Sequence, residues 1–95
     1  MLDAARVAAL EARLAHRFAD RARLTRAFTH ASYAAEHAVV PQDGLAFVGD
    51  AALGLIVAEH LLAAEPTAGV GRLTPLRAAL VADRRLAEWA RSLDL

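Results

Sequence analysis

The stretch "QDGLAFVGDAALGLIVAEHLL", residues 42 to 62, constrains this chain more than any other. Its alanines and leucines favour helix, and nothing in it alternates as a half-buried strand would. Yet Asp50 stands in its middle, between Val48-Gly49 and Ala51-Ala52-Leu53. A carboxylate is costly to bury without a partner. On a helix over 43–54, Asp43, Ala46, Phe47, Asp50 and Gly54 share one face at steps of three or four. Leu45, Val48, Ala52, Leu53, Ile56 and Val57 are expected to cover the rest as core. Asp50 then looks out of a separate stripe toward a cleft or a partner. Gly49 and Gly54 would let another backbone come close.

The flanking sequence predicts more helices. Val7, Leu10, Leu14 and Phe18 make an inner stripe for a first helix over about residues 3 to 16, opened by Leu2 or Asp3. Asp20 is an N-cap for a short second helix, with Leu24 and Phe28 inward. Thr29 through about His37 is a further helical piece, or a continuation with a bend. Pro41 ends it, because the residue before proline avoids the α region. Gln42 or Asp43 starts the long helix, which runs to about Ala64. "EPTAGVG" is a loop on proline and glycine content. Thr74 reads as the next N-cap, with Pro75 at the first helical position. Asp83 opens a last helix to about Leu93, with Trp89 on the inward spacing of Leu86 and Leu93. An all-α domain of five or six helices follows.

With 95 residues, one domain over 1–95 is the expectation. A core this small would gain from a partner subunit. There is no cysteine to staple it. No uninterrupted apolar run reaches the roughly 18 residues of a membrane span, since Asp50, Glu59 and His60 break the best one. No signal peptide is visible at the N-terminus. A cytoplasmic protein away from the membrane is expected. The net charge of zero argues against an indiscriminate nucleic-acid binder. Its distribution is uneven: six Arg and three acids in 1–26, five acids and no Arg in 27–68, five Arg and three acids in 69–95. An acidic site beside phosphate-contacting arginines would give that pattern; so would surface charge that evens out in space. Lysine is absent and about a quarter of the chain is alanine, a compositional bias.

"FTHASYA", "FVGDAALG" and "LTPLRAALV", in this order and spacing, resemble the ribonuclease III family. Its signature helix typically reads N-E-R-L-E-F-L-G-D-A-V-L. "LEARLAHRFADRARLTRAFTHASYAAEH" looks like the family's opening, and "GRLTPLRAALVADRRLAEWARSLDL" is similar to a later segment. Nearly the whole chain is covered. The resemblance implies an all-α fold, truncated here on its C-terminal side, with no double-stranded-RNA-binding domain. It implies Mg²⁺-dependent cutting of double-stranded RNA by a homodimer, with acidic side chains of each cleft holding the metal.

Carried over residue by residue, the signature aspartate falls on Asp50. The metal-binding glutamate falls on Ala46, and the glutamate one turn earlier on Asp43. The arginine after that becomes Gly44, and the two acids of a later helix have no counterpart up to Leu95. Asp43 and Asp50 lie about 10.5 Å apart along a helix axis. Mg²⁺ wants oxygens at about 2 Å in an octahedron, so the two cannot chelate one ion. Asp50 is thus the residual catalytic and metal-binding candidate and Asp43 a weaker one. Mg²⁺ binding is expected to be weak or absent.

Phe47 corresponds to a phenylalanine that plugs a socket on the partner subunit; the alternative is ordinary core packing. Ala46 and Gly54 would share that interface. Arg72, Arg77, Arg84 and Arg85 are RNA-contact candidates, or else a solvated face partnered by Glu88 and Asp83. His30 reads as a hydrogen-bonded structural histidine. Glu36-His37 and Glu59-His60 are adjacent pairs and form no HExxH-type site. Trp89 reads as core rather than a base-stacking residue. The expected function is a ribonuclease III-like domain of RNA processing, impaired in cleavage, that binds RNA or a partner as a dimer. The alternatives are an active Mg²⁺-dependent double-strand endoribonuclease and a helical interaction module without RNA function.

Overall fold

A computed structural model describes residues 2–95. Among them there are six α-helices and no strands: α1 (Ala4–Leu14), α2 (Arg21–Ala27), α3 (Ala31–His37), α4 (Asp43–Ala64), α5 (Val70–Leu80) and α6 (Asp83–Ser92). The chain divides into two compact units, one ending at Phe47 and the other spanning Val48–Leu95. The division falls within α4.

In the first unit local chemistry sets each helix start. The Asp3 carboxylate accepts from the Arg6 amide at 2.8 Å and Asp20 accepts from Arg23 at 2.9 Å. Each satisfies one of the orphan amides of a first helical turn. His30 caps α3 in the same way, its Nδ1 accepting from the Ser32 amide at 3.1 Å. The predicted stripe of α1 is real. Val7 and Leu10 are buried with Leu24 of α2, and Leu2, Leu14 and Phe18 pack against them. Phe18 lies beyond the helix but is held there, its amide donating to Glu11 Oε2 at 2.8 Å. Phe28 does not follow Leu24 inward and is exposed. Both α1 and α3 end in left-handed alanines, Ala15 (φ 51°) and Ala38 (φ 53°). Glycine would take that geometry at about 1–2 kcal/mol less cost.

The second unit departs further from expectation. The predicted core positions of α4 are not core: Val48 is 63% and Ile56 64% exposed, and Ala52 is exposed. Leu45, Leu53 and Val57 are only half-buried, and Leu61 is the one buried residue of α4. The helix is apolar nearly all round, so spacing alone could not choose its inner face. By length and composition α4 does suffice to cross a membrane, because the acids that interrupt it are too few to offset its aliphatic residues. That corrects the expectation drawn from uninterrupted runs.

α5 begins at Val70, so Thr74 and Pro75 lie inside it rather than at its start. The Gly69 carbonyl accepts from the amides of both Arg72 and Leu73 at 3.1 Å, closing a turn before the expected cap. α5 packs against α6. Trp89 is 58% exposed rather than core. It lines an open groove with Leu53, Leu80 and Leu86, alongside Arg85 and Glu88.

Candidate functional site

α4 starts where the sequence places it, and long-range contacts within the first unit hold it there. The Gln42 amide donates to the Thr29 carbonyl at 2.9 Å, and the Gln42 carbonyl accepts from Ala46 at 2.9 Å. Thr29 is buried, its hydroxyl donating back to the Thr25 carbonyl at 2.7 Å. Arg26 Nε of α2 donates to the Pro41 carbonyl at 2.9 Å, just before the helix begins. Asp43 sits in the first turn of α4, where a negative charge suits the helix dipole.

The stripe predicted on α4 faces outward. Asp43, Ala46 and Asp50 are exposed, Gly54 is half-buried and Phe47 is 81% exposed. Among the described residues Asp50 has no hydrogen bond and no ion pair. The cost of burying a lone carboxylate is therefore never incurred. A Cβ built on Gly49 or Gly54 would meet nothing within 4 Å. Room for a close-approaching backbone exists at both.

Asp43 and Asp50 of α4 do not reach one divalent ion together. A helix rises about 1.5 Å per residue, so Asp43 and Asp50 stand about two turns apart, with the methyl of Ala46 between them. Among the described residues no three His, Asp or Glu side chains cluster as a metal site. The two Glu-His pairs do other things or stand apart. His37 stacks on Tyr33, ring centroids 3.8 Å apart, and its Nδ1 hydrogen-bonds the Tyr33 carbonyl at 2.9 Å. His30 serves α3 as a cap.

The four arginines proposed for RNA contact split into two kinds. Arg72 binds the Glu65 carboxylate, a hydrogen bond and charge that raise its already high pKa. Arg84 Nε lies 3.5 Å from Glu88 Oε1, the helical pairing expected of a solvated face. Arg77 and Arg85 have no ion pair among the described residues. Asp83 pairs with none of them and instead occupies the first turn of α6.

One contact escaped the sequence reasoning. A Cβ on Gly44 would lie 2.8 Å from Arg26 Nη2. The guanidinium of α2 occupies the space where a side chain at 44 would stand. Local spacing carries no trace of this, because the two residues belong to different helices.

A family profile described as Ribonuclease-III-like matches residues 20–95. Among curated proteins, the chain is 45% identical over 87 residues to Ribonuclease 3 of Streptomyces coelicolor, covering 90% of this chain and 31% of that protein. It is 40% identical over 96 aligned residues to Ribonuclease 3 of Symbiobacterium thermophilum, covering 100% and 41%. Ribonuclease 3 of Mesorhizobium japonicum is 46% identical over 83 residues, covering 87% and 38%. The chain thus spans about a third to two-fifths of the length of these relatives. No solved structure matches it.

Proposed function

We propose, because this chain belongs to the Ribonuclease-III-like family, that it is a duplex-RNA-binding domain of RNA processing, works as a homodimer, and by itself cleaves RNA poorly or not at all. The exposed stripe of α4 carries this reading. A phenylalanine 81% exposed on a helix of small and acidic neighbours is a surface that water disfavours and a second copy can cover. A two-fold pairing would set the same stripe of each subunit against its mate. The same stripe offers two aspartates, Asp43 and Asp50, about two turns apart, where a Mg²⁺ ion needs converging oxygens. Among the described residues Arg77 and Arg85 hold no acid partner and are the freer cations for phosphate. A cytoplasmic setting belongs to the same proposal, with the apolar surface of α4 covered by protein rather than lipid.

The test is a long RNA duplex incubated with the 95-residue chain and Mg²⁺ or Mn²⁺, wild type beside Ala46→Glu and Asp50→Asn. The expected wild-type result is binding that weakens as salt rises, without cleavage. Cleavage by Ala46→Glu alone would mark a cleft short of a single ligand. Wild-type cleavage abolished by Asp50→Asn would establish an active nuclease instead and overturn the impaired reading. Phe47→Ala, followed by sedimentation, should weaken the dimer by about 2 kcal/mol or more, as for a buried aromatic anchor. A dimer indifferent to that change would place the interface elsewhere.

A further inference from the structure

We infer that Arg26 is a phosphate contact for duplex RNA, its guanidinium held over the bare Cα of Gly44 by the Pro41 carbonyl. This rests on the RNA-binding reading above and adds to it a residue on a different helix from Arg77 and Arg85.

Arg26 differs from several other arginines of the chain in what holds it. Arg23 lies 3.8 Å from the Asp20 carboxylate, Arg72 is bound to Glu65, and Arg84 lies 3.5 Å from Glu88. Each of those charges is offset by an acid. Arg26 is half-buried and anchored by Nε to a neutral carbonyl at 2.9 Å. Among the described residues it has no acid partner. Its positive charge stays uncompensated, and both Nη nitrogens keep their N–H donors for a ligand. The stem has already lost its freedom on folding, so a ligand that binds there need not immobilise it. A guanidinium with a free Nη edge suits phosphate oxygens better than an ammonium would. Gly44 completes the arrangement, because any Cβ there would lie 2.8 Å from Nη2 and push the group aside. The obstructing atom is the far end of a flexible side chain, so the push moves the guanidinium without threatening the fold.

The experiment measures binding of a labelled RNA duplex to the whole chain across a salt series. Arg26→Ala should weaken binding about tenfold, the loss of one charge-assisted contact. The slope of log K against log salt should fall by about one. Gly44→Ala should weaken binding several-fold with its thermal midpoint unchanged or raised, as alanine favours the helix, and should have no further effect on binding in the Arg26→Ala background. A merely structural Arg26 would lower the thermal midpoint and leave the salt slope alone. Wild-type binding with Arg26→Ala matching it in affinity and slope overturns this inference while the RNA reading stands. A wild type that binds no duplex overturns both. Should circular dichroism show Arg26→Ala unfolded, Gly44→Ala decides: wild-type affinity sinks the inference, and a several-fold loss supports it.

Discussion

The two units of the molecule reverse the usual relation between hydrophobicity and burial. The first unit owns the compact cluster of Val7, Leu10 and Leu24 and a side-chain cap on each of its three complete helices. The second holds most of the longest and most apolar helix, yet buries only Leu61. Neither α5 nor α6 has a fully buried residue or a side-chain cap. Burial depends on what an apolar face meets, not on how apolar it is. α1 and α2 meet each other, whereas Val48, Leu55, Ile56 and Leu62 each remain more than half exposed. The first unit covers its apolar stripe with its own helices, and the second leaves much of its apolar surface open.

The sharpest way to break that contrast is to empty the core of one unit and trim the surface of the other. Leu24→Ala should destabilise the chain by about 2–5 kcal/mol, since a buried leucine loses its transfer energy and leaves a cavity. Ile56→Ala, at 64% exposure, should cost less than about 1 kcal/mol in dilute solution. Urea melts of both variants over a range of protein concentration check this. A cost for Ile56→Ala that grows with concentration toward that of Leu24→Ala would mean that α4 is covered in solution by a second copy.

A proline gives the next largest effect. Pro75 stands in the interior of α5, where it removes a backbone hydrogen bond and crowds the preceding turn. Pro75→Ala should then stabilise the second unit by about 1–3 kcal/mol, less what the freer unfolded chain gives back. If α5 instead began at Thr74, proline would occupy a position that suits it and the same change would be neutral or harmful. A calorimetric comparison of the two proteins separates the cases. The wrong helix start is instructive. Thr-Pro is a good local start motif, but the turn closed on the Gly69 carbonyl lies upstream and has no motif of its own.

What was legible in the sequence was local. Asp3 and Asp20 cap because a short acid before an apolar repeat has an amide to accept from three residues on. Pro41 breaks the chain and α4 begins at Asp43 by the same kind of short-range rule. The α1 stripe was legible because one face is apolar and the other is not. Along α4 that contrast is missing, and the predicted inner positions proved exposed. Phe28 and Trp89 failed similarly: correct spacing says where a side chain points, not whether anything lies opposite. At the site, the outward stripe and the lone Asp50 followed from helical periodicity. The meeting of Arg26 with Gly44 did not, because it is made by the packing of separate helices.

The finest distinction between the units is their capping. Asp20→Ala removes a carboxylate that accepts from the Arg23 amide at 2.9 Å and should cost about 1 kcal/mol. The converse change lies in the other unit. Ala82 stands at the N-cap of α6 with extended backbone (φ −62°, ψ 144°) and no side-chain oxygen to offer. Ala82→Asp should therefore gain about 0.5–1 kcal/mol, supplying the acceptor that α6 lacks. Thermal melts of the two single variants and the double variant measure both effects. They should add, because the caps belong to different units and share no partner. A loss of similar size from Asp20→Ala but no gain from Ala82→Asp would mean that the first turn of α6 already finds an acceptor in solution. That outcome would remove the capping difference and leave only the buried cluster to set the units apart.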